Sequence, residues 1–340
     1  MATVFKRPLG PDGFQVPALT VGSWYTWDRT PFEETVNVIR TAVDAGASYF
    51  DVGVYGALEP GQAGSPTDVI FGRAVQAAGV ARDDYVLQVK SWVERSGSAE
   101  DIVAQFDRAV FRIGTDHAEI LVFGDLVGEH VPVEVLAEGA AALVESGRVR
   151  YWGVNNWSAT EIRQIVAAAE KAGLAPPAFA QLKYNVVRRS IAEGAPFRGL
   201  IADHGLKVQA SDALEGGFLL GHPRRRPTGN DPGDIHGLLE EARPRMRALA
   251  EELGGTLAQL ALAYVLTNDD LCSIVIGART TEQIRDDLGA FDLLERVGAE
   301  RLRELLAPYW LDKGRVDPES SWSSVPDDDP VKYALILPDA

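Results

Sequence analysis

Short apolar runs alternate with longer amphipathic stretches along most of the chain. A Pro/Gly turn signal at residues 10–13 reads as the bend of a β-hairpin spanning residues 4–18. Strand-like runs are then expected at residues 18–24, 48–52, 85–90, 118–123, 150–154, 178–182, 207–210 and 273–276. Each is a short, mainly apolar run, the pattern of strands buried on both faces. Between them, apolar residues recur at i, i+3 and i+4, predicting helices at 32–45, 66–78, 98–113, 133–146, 159–172, 191–204, 238–253, 257–266, 281–288 and 299–307. The alternation breaks once, in the Gly/Pro/Arg-rich connection at 211–235. Loops this long in a compact domain are functional or disordered, and the functional reading is carried forward.

Eight strand-plus-helix units predict an α/β fold, a (β/α)8 TIM barrel with an N-terminal β-hairpin. The 340 residues would also fit two ordinary domains, but no Gly-x-Gly-x-x-Gly follows the first strand, as a doubly wound open sheet would need. The barrel is expected over residues 1–310. Residues 311–340, with Trp322, Tyr333 and the run Asp327, Asp328, Asp329, form an acidic tail that either frays or lies as a flap over the barrel mouth.

Charge and cysteine narrow the partners. A net charge of −16 and a pI near 4.8 argue against a nucleic-acid partner and against an anionic membrane surface. A local cluster of cations and helix N-termini can still hold an anionic small molecule. The one cysteine, Cys272, lies in an apolar run and reads as a small buried hydrophobe, so no intramolecular disulfide and no multi-cysteine metal site is expected. The first residues lack the apolar core of a signal peptide, and no run is long enough for a membrane span, so a cytoplasmic location is expected. No feature argues for obligate assembly.

Reactive groups of such a barrel come from the C-terminal ends of its strands. Asp51 and Tyr55 follow the second strand and Lys90 ends the third. A phenol is a poor acid at neutral pH unless a nearby cation lowers its pKa, and a buried lysine needs a carboxylate to stay charged. Asp51, Tyr55 and Lys90 are therefore the candidate catalytic trio. Further polar residues at strand ends are Gly124–Asp125, Asn155–Asn156, Gln181 with Lys183, Ser211–Asp212 and Gly277–Ala278–Arg279. The aromatics Trp24, Tyr25, Trp27, Trp92 and Trp157 follow strand ends too, and either line the mouth or pack in the core.

Tyr-Phe-Asp at 49–51 with Tyr-Gly at 55–56, Arg-Tyr-Trp-Gly-Val-Asn-Asn-Trp-Ser at 150–158, Ala-Gln-Leu-Lys-Tyr-Asn at 180–185 and Ile-Gly-Ala-Arg-Thr-Thr-Glu-Gln at 276–283 stand in an order and spacing that resemble the aldo-keto reductase family. So do Phe-Lys-Arg-Pro-Leu-Gly at 5–10 and Gly-Thr-Leu-Ala-Gln-Leu-Ala at 255–261. The resemblance covers residues 4–310. It implies an NADPH-dependent oxidoreductase that reduces a carbonyl or related unsaturated group of a small molecule, with Tyr55 as proton donor, Lys90 lowering its pKa and Asp51 holding Lys90. It also implies that Asn155, Asn156 and Gln181 bind the nicotinamide amide, that Ser211 stands beside the nicotinamide, and that Arg279, Gln283 and Asp287 sit at the adenosine end. A substrate pocket is expected among Trp24, Tyr25, Trp92, Gly124, Asp125 and Trp157.

Five departures accompany these matches, the first being Ser211, which takes the place of the aromatic that stacks on the nicotinamide. Gly124 takes the place of the family's active-site His, which leaves no hydrogen-bonding side chain there and, by making room, points to a bulky substrate. The interval from Asp51 to Tyr55 is one residue shorter. Asp212 puts a carboxylate near the pyrophosphate, and Asp287 replaces an asparagine. Two further readings stay open on this scaffold: a cofactor-independent lyase, dehydratase or isomerase using Asp212 or Asp125 as base opposite Tyr55, and a nucleotide-sensing or partner-binding pseudoenzyme.

Overall fold

Gly10 (φ +75°) and Gly13 (φ +71°) occupy the left-handed region, and the turn they form lets β1 (Lys6–Leu9) pair antiparallel with β2 (Phe14–Pro17), Leu9 opposite Phe14. Leu9 and Val16 from this hairpin are buried against Tyr49, Ile120, Val122, Phe179 and Cys272, the inward residues at the beginnings of the barrel strands. The hairpin thereby plugs the N-terminal end of a barrel. The computed structural model of the chain describes residues 3–24, 26–56, 64–93, 97–126, 131–223 and 231–321.

The barrel strands are β3 (Leu19–Gly22), β4 (Tyr49–Val52), β5 (Val86–Ser91), β6 (Ile120–Phe123), β7 (Tyr151–Asn155), β8 (Phe179–Lys183), β9 (Lys207–Ser211) and β10 (Leu271–Ile276). All pair in parallel in chain order, and β10 closes the ring against β3. The expected (β/α)8 barrel with its hairpin is therefore the fold. Around it lie α1 (Phe32–Asp44), α2 (Thr67–Ala77), α3 (Ala99–Ile113), α4 (Val133–Glu145), α5 (Ala159–Ala172), α6 (Ala195–His204), α7 (His236–Glu252), α8 (Leu257–Leu266), α9 (Thr281–Val297) and α10 (Ala299–Leu306). Their ends are set locally. The Ser158–Glu161 and Thr256–Gln259 pairs form capping boxes on α5 and α8, and Gly114 and Gly173 end α3 and α5 with positive φ. Cys272 is buried, and burial pushes its thiol up to about 12, as fits a packing residue.

Two expected boundaries move. The helix expected at 191–204 begins only at Ala195, because the preceding segment is held by side chains instead: Arg189 donates to Val186 O and Leu306 O, and Asp312 accepts from the Arg189 and Ser190 N–H groups. The helix expected at 281–288 runs on to Val297. Gly289 lies inside it, where α9 presses on Gln259 of α8; a Cβ there would stand 2.5 Å from Gln259 Nε2.

Residues 311–321, the start of the expected tail, lie packed on the body. Leu311 N donates to Val187 O at 3.0 Å, Asp312 is buried, and Glu319 accepts from Thr160 Oγ1 at 2.6 Å and pairs with Arg163 at 2.5 Å. Trp322, Tyr333 and the Asp327–Asp329 run, and with them the proposed flap, lie outside the described residues. Among the described residues no helix is long and apolar enough to cross a membrane, and no group of three or more His, Cys, Asp or Glu could hold a metal.

Candidate active site at the barrel mouth

A strand's period of two stacks Tyr49 below Asp51 on β4 and Gln88 below Lys90 on β5, all facing the barrel axis. Asp51 is buried, and its Oδ2 stands 3.6 Å from Lys90 Nζ. Lys90 also donates to Gln181 Oε1 at 2.9 Å. Gln181 in turn donates to Asp51 Oδ2 at 3.1 Å and to Gln209 Oε1 at 2.7 Å. Burial alone would lower the pKa of Lys90. The charges of Asp51, Tyr55 and Asp125 outweigh it, and the ammonium is held above its ordinary value.

Tyr55 lies close enough to Lys90 for their charges to interact. Its backbone is fixed by Ser65, whose N–H donates to Tyr55 O at 3.1 Å, and its ring is buried edge-on to Trp92 and tilted against Trp24, with centroids 5.8 and 6.4 Å away. Gly53 makes this possible: a Cβ there would fall 2.6 Å from the phenol oxygen. The expected trio is thus brought together despite the shorter Asp-to-Tyr interval.

The surroundings of Gly124 differ from the expectation. Its carbonyl accepts from Trp157 Nε1 at 2.8 Å, and a Cβ at this position would stand 2.6 Å from Trp92 Cε3. The room expected for a bulky substrate is filled by an indole. Trp157 is fully buried and packs in the core rather than lining a pocket, as is Trp27, stacked on Phe71. Trp24 is half-buried beside Tyr55, and Tyr25 lies outside the described residues. Asp125 accepts from the side-chain amides of both Asn155 and Asn156. His117 lies before β6, against Asp116 and Glu119, away from the mouth.

On the opposite side of the rim stands a second charged cluster that pattern reading missed. Lys183 Nζ is 2.9 Å from Asp212 and 3.2 Å from Glu215; Arg188 pairs with Glu215 at 2.8 Å and Asp231 at 2.5 Å; His236 touches both of those carboxylates. Asp212 and Glu215 both adopt positive φ, +50° and +51°, an uncommon conformation for residues with side chains and one found at functional turns. Lys183 and Asp212 are two of the expected strand-end residues; Arg188, Glu215, Asp231 and His236 carried no strand-end signal.

Ser211 pairs in register with Lys183. Arg279 and Gln283 meet at the start of α9, where Arg279 N donates to Gln283 Oε1 at 2.8 Å. Asp287, one turn further, is buried, and burial with the nearby Asp286 carboxylate pushes it up to about 8.

The model of the Aldo/keto reductase family matches residues 18–304. The chain belongs to this family. Two relatives, each described as a probable voltage-gated potassium channel subunit beta, from Arabidopsis thaliana and Oryza sativa subsp. japonica, are 27% identical across 90% of this chain and 94% of theirs. An aldo-keto reductase from Klebsiella pneumoniae solved with NADPH superposes with a TM-score of 0.69 at 20% identity, covering 91% of this chain and 96% of that one. A thermostable aldo-keto reductase solved with the inhibitor epalrestat gives 0.68 at 22%, covering 90% and 99%. The solved reductases share the barrel; the curated relatives share nearly the whole length.

Proposed function

We propose that this aldo/keto reductase uses NADPH to reduce a carbonyl or related unsaturated group of a small molecule, with Tyr55 as proton donor. The observation that carries the reading is the Lys90 ammonium, partly buried, held by Asp51 and Gln181 and close enough to the Tyr55 phenol for their charges to interact. A fixed positive charge beside a phenol favours its ionised form, so Tyr55 releases its proton more readily as negative charge builds on a substrate oxygen. When bound, NADPH supplies the hydride.

The residues present fit an anionic dinucleotide better than the sequence alone implies. Asp212 is neutralised by Lys183 at 2.9 Å, and Asp287 keeps its proton up to about pH 8, so it is nearly as neutral as the amide it replaces. Arg279, Gln283 and the first turn of α9 would hold the adenosine end, with Asn155, Asn156 and Ser211 nearer the nicotinamide. The same Lys183 contact argues against Asp212 as the base of a cofactor-independent lyase.

A second reading, a nucleotide-sensing protein, draws support from Trp92, which fills the place where a carbonyl-orienting group would stand, and from the channel-subunit relatives. Tyr55→Phe separates the two. On the reductase reading NADPH still quenches tryptophan fluorescence, while turnover of a carbonyl panel falls by about 10²–10³-fold. Unchanged turnover removes Tyr55 from the mechanism, and absence of quenching at millimolar NADPH removes the cofactor from both readings.

A further inference from the structure

Below Asp51 and Lys90 the barrel axis is polar. Gln209 Nε2 donates to Tyr49 OH at 3.0 Å and to Gln88 Oε1 at 3.1 Å; Gln88 Nε2 returns a bond to Gln209 Oε1 at 3.1 Å, and Tyr49 OH donates to Gln88 Oε1. Gln181, Gln209, Gln88 and Tyr49 are all buried.

The direction of this column follows from one fact: an ammonium only donates. Gln181 must therefore turn its carbonyl to Lys90, which leaves its two N–H bonds for Asp51 and Gln209. Gln209 then accepts from Gln181 through its oxygen and faces Tyr49 and Gln88 with its nitrogen. Every amide in the column is satisfied in this orientation, and Gln181 has no N–H left to offer a ligand above it. Donating to a carboxylate also polarises the Gln181 carbonyl and makes it a stronger acceptor. A neutral amide satisfies the ammonium without cancelling its charge.

We propose that Gln181 and Gln209 are positioning residues of the acid–base trio: anchored on Tyr49 and Gln88, the amide pair holds the Lys90 charge in place for the Tyr55 phenol. The inference rests on the trio of the proposed function but not on hydride transfer.

The test uses the full chain labelled with ¹³Cζ-tyrosine. The Tyr55 signal is assigned by its loss in Tyr55→Phe, and its midpoint is followed by NMR titration in the wild type, Gln181→Met and Gln209→Met. The midpoint rises by about one pH unit in Gln181→Met and by about half a unit in Gln209→Met. NADPH affinity, from tryptophan quenching, stays within about threefold of wild type in Gln209→Met. An unmoved Tyr55 midpoint in folded Gln209→Met overturns the proposal. So does an unmoved midpoint in Gln181→Met combined with a loss of more than about tenfold in NADPH affinity, the signature of a cofactor ligand. Gln209→Met touches neither Lys90 nor Asp51 and decides the matter if Gln181→Met does not fold. A wild-type protein that reduces no carbonyl ends the reductase reading and leaves this titration as informative as before.

Discussion

Lys90 and Lys183 both end barrel strands at the same rim, and their partners differ in kind. Lys183 has two carboxylates within 3.2 Å, in a cluster that Arg188, Asp231 and His236 extend. Lys90 has one carboxylate at 3.6 Å and a neutral amide at 2.9 Å. A cation enclosed by carboxylates has its charge cancelled where it stands and serves to tie chain segments together. One held by a single, more distant carboxylate and a neutral amide stays anchored and only partly compensated, so its field reaches the next polarisable group, here Tyr55. The first cluster joins the turns after β8 and β9 to the start of α7; the second is arranged to influence a proton.

The strongest way to break this contrast is to open the saturated cluster. Glu215→Gln leaves Lys183 and Arg188 short of a buried carboxylate and is expected to cost about 3–5 kcal/mol in urea unfolding at pH 7. Burial pushes the Glu215 carboxyl up, but Lys183 and Arg188 outweigh it and hold it below its ordinary 4.5. Its contribution is therefore complete above pH 4.5 and lost as pH falls through the lower folded value. The variant should show a flatter acid limb of the stability curve. An unchanged acid limb would show that the cluster adds nothing to stability.

Lys90→Met is expected to act on turnover instead, lowering carbonyl reduction by about 10²–10³-fold. Its cost in urea unfolding should be smaller than that of Glu215→Gln, because Asp51 keeps an amide donor and can take up a proton. Equal stability costs in the two variants would erase the distinction between the clusters.

Asp287 supplies the limiting case, a buried carboxyl with no ion pair among the described residues. Its folded value of about 8 lies above the ordinary 3.8, so stability is greatest below pH 3.8 and declines as pH rises toward 8. Asn has no proton to lose. Asp287→Asn should stabilise the protein by about 5 kcal/mol at pH 8 and by less than about 1 kcal/mol near pH 4, read from chemical denaturation at the two pH values.

The barrel, its hairpin and the Asp51–Tyr55–Lys90 trio were legible because each depends on short-range pattern: apolar runs, turn residues and groups at strand ends. What escaped depends on partners far apart in the chain. Lys183 and Asp212 read separately as a strand residue and an awkward acid, and only the pairing of β8 with β9 makes them one neutral unit. Gly124 read as open space because the pattern cannot place the Trp92 indole that fills it. Gln88 and Gln209 passed as polar residues within apolar strands, although each precedes a rim position by two residues and so shares its face.

The hairpin at the lower end gives the polar column a single opening. Leu9 and Val16 pack with Phe179 and Cys272 and close its lower end with apolar side chains. The column is a blind well. A ligand lying across Tyr55 and Trp24 would cover its upper end and shield the Lys90 ammonium from solvent.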